Sequence, residues 1–187
     1  MDDDRTHLLV IGGGPAGVAA ATRASTLGAR VTVVEKDIIG GAAHLWDCIP
    51  SKTMVASAHR RRNMRTAPTL GVPGVARDVD LPALNDRMER ISSDISSGEV
   101  RMLESVGVEV LDGWGTLTGP NTAVASTEDG DVEISFDLAL ISTGSAPRVP
   151  DWAEPDGRRV LTTRHAYGLD ELPEHVVVVG SGVTGVE

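Results

Sequence analysis

His7-Leu8-Leu9-Val10-Ile11 runs into Gly12-Gly13-Gly14-Pro15-Ala16-Gly17, and the Ala-rich stretch Val18 to Leu27 follows. A short apolar run of this kind reads as a buried strand, and the Ala-rich stretch suits a helix. Gly28 stands where helices often end in the left-handed conformation. Arg30 to Val34 is β-branched and closes on Glu35, which predicts a second strand. The segment is therefore one βαβ unit. Gly12-x-Gly14-x-x-Gly17 has the spacing of a dinucleotide fingerprint. Its first glycine permits the tight turn, its second lets a pyrophosphate approach the backbone, and its third lets helix and strand pack closely. The helix N-terminus adds positive potential. Glu35 at the end of the second strand is placed to hydrogen-bond ribose hydroxyls.

Composition bounds the rest. The chain has 187 residues, with 41% hydrophobic and 24% charged, which suits a soluble globular protein of one domain and a remainder. Three Trp, one Tyr and one Phe leave the core to Val, Leu, Ile and Ala. The formal net charge of −10 argues against nucleic acid or an anionic membrane as partner. The longest nearly apolar run, Leu8 to Ala21, is too short for a bilayer span and carries Pro15. The start, Met-Asp-Asp-Asp, has the wrong charge for a signal peptide, so the expected compartment is cytoplasmic. Cys48 is the single cysteine, which excludes an internal disulfide, and no metal-ligand set is picked out.

Further along, Pro50 and Ser51 are expected to open a helix to about Met64. Thr66 to Pro82 reads as a loop, and a second helix is expected from Pro82 to about Val106 with a break near Gly98. Val108 to Leu140 alternates short β-prone pieces with turns at Gly119-Pro120-Asn121 and Glu128 to Asp131, which predicts a small antiparallel meander. Asp137 to Ser142 is again an apolar strand, and Pro147 to Pro155 a connector. Val176 to Val179 reads as a buried strand ahead of a second fingerprint, Gly180-x-Gly182-x-x-Gly185. A βαβ unit needs a helix and a return strand, and few residues follow, so the chain is expected to be a fragment of a longer protein. The fold class is thus α/β: a Rossmann-like dinucleotide-binding domain, 1–150, with a parallel sheet, helices and a meander. Residues 151–187 would be a connector with the first strand and glycine turn of a second Rossmann domain. Two fingerprints suggest two dinucleotides, the arrangement for passing a hydride from a nicotinamide to a flavin.

The segment Gly40-Gly41-Ala42-Ala43-His44-Leu45-Trp46-Asp47-Cys48-Ile49-Pro50-Ser51-Lys52, taken with both fingerprints, closely resembles the pyridine nucleotide-disulfide oxidoreductases. The resemblance covers the whole chain. It implies that Gly12, Gly14 and Gly17 bind FAD and that Gly180, Gly182 and Gly185 bind NAD(P)H. It also implies cofactor contacts at Pro15, Ala16, Glu35, Lys36, Gly41, Ala42 and Lys52. Gly115 of Gly113-Trp114-Gly115 should present backbone to adenine, and Thr143-Gly144 of Ile141-Ser142-Thr143-Gly144 should close over the pyrophosphate.

The family pattern is G-G-x-C-x-x-x-x-C-[IV]-P-[SK]-K, whose two cysteines form a redox disulfide against the flavin. Here Ala43 replaces the first cysteine while Cys48 keeps the second. A methyl group carries no sulfur redox chemistry. The chain therefore resembles the branch of lipoamide-dehydrogenase-like NAD(P)H:quinone reductases, which pass electrons from flavin to a quinone and act as homodimers. Lys52, on the helical face of Cys48, is expected to form a partly buried ion pair beside the flavin with Glu187. Cys48 is either a core filler or a residual flavin contact. His44 is expected at an exposed loop or pocket rim. Two other readings stay open: a disulfide reductase using Cys48 with an external thiol, and a flavin-binding module without catalysis.

Overall fold

The computed structural model describes residues 4–74 and 78–187. Seven strands and six α-helices follow one another. They are β1 His7–Ile11, α1 Pro15–Thr26, β2 Arg30–Glu35, α2 Ala42–Leu45, α3 Cys48–Thr66 and α4 Leu81–Ser105. Then come β3 Val108–Asp112, β4 Trp114–Leu117, β5 Thr122–Thr127, β6 Gly130–Ser135, β7 Leu138–Ile141, α5 Thr163–Ala166 and α6 Val183–Val186. The chain divides into two compact units. One holds the residues up to Leu45 with Ser92–Ala146, the other Trp46–Ile91 with Pro147–Glu187.

In the first unit a parallel sheet of order β3-β2-β1-β7 lies beside an antiparallel sheet of order β4-β5-β6. Both faces of the central strands β1 and β2 are covered, which is why Leu8–Ile11 and Val31–Val34 are apolar but for Thr32. Alternation assigns the faces. Val10, Val31, Val33 and Val108 pack with Val18, Ala21 and Leu103 from the helices. Leu9, Ile11 and Val34 face the opposite way, onto Ala123, Ala125, Ile134 and Phe136 of the antiparallel layer. β1 sits in the middle, pairing β2 on one side and β7 on the other. The chain leaves it in one direction and returns on the far side, so the C-terminal end of β1 is a topological switch point, where ligands of such sheets bind. Gly12 is the next residue.

Several expectations change. Val108–Asp112 belongs to the parallel sheet, paired with β2 from Val31↔Val108 to Glu35↔Asp112, so the meander is only β4 to β6. The long helix α4 runs through Gly98 without a break. A β-carbon there would meet only Arg101 Nη2, at 3.9 Å, so no packing demands a glycine. Helix α3 starts at Cys48, ahead of the expected proline, because Pro50 at the third position has no intrahelical N–H bond to lose. The stretch expected as a loop after Thr66 begins with a 3₁₀ turn, Ala67–Leu70, and its residues 75–77 lie outside the described part.

In the second unit Leu81, Leu84 and Met88 of α4 pack with Met54, Val79 and Tyr167. Asp156 gathers the N–H groups of Val160, Arg158 and Arg159 at 2.8–2.9 Å, which holds its carboxyl down to about 2. Val176 to Val179 is not a strand, against expectation. Its side chains are exposed, Val177 by 87%, and no described strand pairs with it. A strand is completed by its neighbour's hydrogen bonds, which this run lacks.

Candidate functional site: two glycine loops and an ion pair

Two features make the first loop. Gly12 has φ +104, and a β-carbon on it would overlap the Ser142 carbonyl oxygen. The loop is therefore pressed onto the end of β7, and Ser142 completes the contact by donating from Oγ to the Gly12 carbonyl (2.6 Å). A β-carbon on Gly17 would overlap the Gly12 carbonyl, so the third glycine is required by helix–strand packing. Gly14 differs from both. Its φ of −68 and ψ of −179 suit any residue, and a β-carbon there would have no described atom within 4 Å. Neither backbone nor protein packing calls for glycine at this point. The first intrahelical bond of α1 is Val18 N–H to Gly14 C=O (2.9 Å), so the N–H groups ahead of it have no helical partner, and no side chain caps them among the described residues. Open space and free N–H groups on one side of a glycine are the fit that a dinucleotide pyrophosphate requires.

The other residues expected around this loop are placed as follows. Glu35 accepts from Gly13 N–H (2.7 Å) and Asp37 N–H (2.9 Å), which fixes its carboxylate beside the loop and leaves lone pairs spare. Gly40 donates to the Gly13 carbonyl (2.8 Å), and a β-carbon on Gly41 would lie 3.3 Å from Gly14 Cα. The Gly40–Gly41 turn, followed by Ala42 at the start of α2, is thus stacked on the loop. Gly115 lies over the ends of β1 and β2, where a β-carbon would meet Ile11 Cγ2 at 3.1 Å and Val34 Cγ1 at 3.4 Å. Lys36 places its ammonium 4.7 Å from the centre of the Trp114 ring, a cation–π contact without a signal in the sequence. Ser142 lies within Ile141-Ser142-Thr143-Gly144, and its bond to Gly12 has no further signal in the sequence. Thr143 and Gly144 follow it, exposed, at the mouth of the loop.

The second loop repeats the first. Gly180 has φ +125, a β-carbon on Gly185 would overlap the Gly180 carbonyl, and Gly182 has φ −73, ψ −178 with nothing described within 4 Å of a β-carbon.

Lys52 and Glu187 meet, with Nζ 2.5 Å from Oε1. The Glu187 carboxylate hydrogen bond raises the Lys52 pKa, and that same bond, then one to Ser51, lowers that of Glu187. The pair is more exposed than expected: the side chains are 65% and 30% accessible. Cys48 is exposed, which removes its reading as core filler. His44, expected at an exposed rim, is buried at 7% accessibility. Its burial comes from α4: Ser92 Oγ donates to the His44 carbonyl (2.6 Å), and Glu99 Oε2 lies 3.9 Å from Nε2.

A parallel sheet with a glycine loop at its switch point, and the same loop built again further along, define a dinucleotide-binding α/β class. Within that class, a family profile described as pyridine nucleotide-disulphide oxidoreductase matches residues 6–187, and the chain belongs to that family. It is 42% identical over 97% of its length to an NAD(P)H dehydrogenase (quinone) of Mycobacterium tuberculosis, covering 39% of that protein. It is 36% identical over 95% of its length to a dihydrolipoyl dehydrogenase of Chlorobaculum tepidum, covering 38% of it. The crystal structure of LpdA from Mycobacterium tuberculosis superposes with a TM-score of 0.88 at 42% identity, over 97% of this chain and 41% of that one. The chain thus spans about two-fifths of the length of these relatives. No helix among the described residues is long and apolar enough to cross a membrane.

Proposed function

We propose that this chain is the FAD-binding part, 1–150, and the opening of the NAD(P)H-binding part, 151–187, of a cytoplasmic, homodimeric NAD(P)H:quinone oxidoreductase. The observation that carries the reading is the matched pair of loops, each with a glycine that neither its backbone conformation nor packing among the described residues requires. Gly12, Gly14 and Gly17 hold the FAD pyrophosphate, with Glu35 on the ribose and Thr143-Gly144 closing the mouth. Gly180, Gly182 and Gly185 do the same for the nicotinamide dinucleotide. Bound there, FAD would supply two-electron redox chemistry between NAD(P)H and the acceptor. Lys52 and Glu187 fix each other's charge by their short bond, which keeps a cation oriented beside the nicotinamide pocket. Ala43 in place of the family's first cysteine supports an acceptor reduced without an internal dithiol. So does the 42% identity to a protein named for quinone reduction.

The test uses the full-length protein. It should purify with FAD, lose flavin colour on anaerobic addition of NADH or NADPH, and regain it with menadione. A colourless protein that takes up no FAD would overturn the reading. One observation favours a second reading, disulfide reduction with an external thiol: Cys48 is exposed. Turnover of lipoamide or glutathione disulfide that disappears in Cys48→Ser would support it over the quinone.

A further inference from the structure

A buried imidazole ordinarily has both ring nitrogens satisfied. In His44 one is not: Nδ1 has no partner among the described residues, and Glu99 Oε2, likewise without a hydrogen bond, stands 3.9 Å from Nε2, beyond hydrogen-bond reach. An apolar side chain of similar size would fill the same place without that unsatisfied ring nitrogen. The position of the ring shows what it does. It lies against the Cα of Gly40, so closely that a β-carbon on Gly40 would overlap Nδ1. Gly40 has φ +101 and Gly41 φ +51, a turn held open by this packing. The turn in turn touches the first loop, through Gly40 N–H to the Gly13 carbonyl (2.8 Å) and Gly41 against Gly14 (3.3 Å for a β-carbon). On the far side α4 meets His44 at two points, one of them a hydrogen bond. Ser92 bonds its carbonyl, and Glu99, on the same face of the helix two turns later, faces its ring.

We propose that His44 is a positioning residue for the flavin site. Clamped between Ser92 and Glu99 of α4, it sets the Gly40–Gly41 turn against the pyrophosphate loop and so fixes where the Ala42-Ala43 segment meets the cofactor. The inference deepens the proposed function and rests on the first loop being the FAD site.

The experiment uses full-length protein and three readouts: the FAD dissociation constant, the visible absorption band of the bound flavin, and thermal unfolding of the apoprotein. His44→Leu should weaken FAD about tenfold, the equivalent of one net interaction in the clamp, and shift the flavin band. His44→Gln, which keeps a donor towards Glu99, should restore both to near the wild-type values. Ser92→Ala, whose side chain lies away from the loop, should weaken FAD several-fold through the backbone alone. Unchanged affinity and spectrum in His44→Leu, or a loss of apoprotein stability with both unchanged, would overturn the proposal. If His44→Leu does not fold, wild-type FAD binding by Ser92→Ala and Glu99→Leu would overturn it equally. Wild-type protein that binds no FAD would instead overturn the reading of the loop, so the two failures are told apart.

Discussion

The three glycines of the first loop are glycine for different reasons, and substitution separates them. A methyl group on Gly14 meets open space, while one on Gly17 overlaps the Gly12 carbonyl. Gly14→Val in the full-length protein should leave apoprotein stability nearly unchanged and weaken FAD by roughly a hundredfold, about 3 kcal/mol. Gly17→Ala should cost roughly 1–3 kcal/mol of stability, as overpacking does, measured by urea unfolding without ligand. Equal effects of the two on stability would remove the argument that Gly14 answers to a ligand. These roles were legible in the sequence because spacing after a strand encodes them. The place of His44 was not. Its flanks, two glycines on one side and Trp46-Asp47 on the other, resemble a surface turn, and its burial is decided by Ser92 and Glu99 on a distant helix. The exposure of Lys52 and Cys48 was likewise hidden, since helical phase places both on one face without saying what covers it.

Among elements, the βαβ opening was legible because every local signal agreed: apolar run, glycine turn, Ala-rich helix, β-branched return. Val108–Asp112 was not separable from the meander after it, since a short β-prone stretch does not announce whether its partner is parallel or antiparallel. Gly98 misled in the opposite direction. A glycine inside a helix costs about 1 kcal/mol against alanine, yet the 25 residues of α4 carry it. Gly98→Ala should therefore raise stability by about 1 kcal/mol in urea unfolding, and a loss would mean that an unseen close approach requires the glycine. The strands are further tied at their N-terminal ends by a buried polar cluster. His7 Nδ1 donates to the Ser135 carbonyl (2.5 Å), Nε2 meets Thr32 Oγ1 (2.9 Å), and Thr32 donates to Glu109 (2.9 Å). Burial lowers the His7 pKa from 6.5. The Ser135 bond opposes this, Arg30 adds to the lowering, and Glu109 and Asp137 work against it. A histidine whose pKa is lower in the fold takes up its proton more readily when unfolded. Its contribution is then fully present above pH 6.5 and declines as pH falls through 6.5 towards the folded value. His7→Gln should flatten that acid limb of the stability–pH curve, and an unchanged limb would assign the loss to the carboxylates instead.

At the scale of the whole molecule the proposed function turns on Ala43, because under that reading it sets how many electrons the full-length protein stores. A dithiol and a flavin in one site hold four electrons; a flavin alone holds two. Cys48 by itself forms no internal disulfide, so anaerobic NADH titration should stop at two electrons per flavin, with quinone turnover and little lipoamide turnover. Under the proposed function the same count bears on the acceptor. A disulfide substrate needs a thiolate to attack it, whereas a quinone takes its electrons without a sulfur partner. The substitution can also be run backwards. Ala43→Cys restores the family's cysteine spacing with Cys48, and if the two thiols then exchange electrons with the flavin the titration should extend to four electrons. Lipoamide reduction would rise only if this chain's Cys48 kept the geometry of the disulfide-bearing relatives. Uptake of four electrons by the unmodified full-length protein would show a second redox centre, and the proposed quinone assignment, which depends on Ala43 leaving the flavin as the sole carrier, would fall with it.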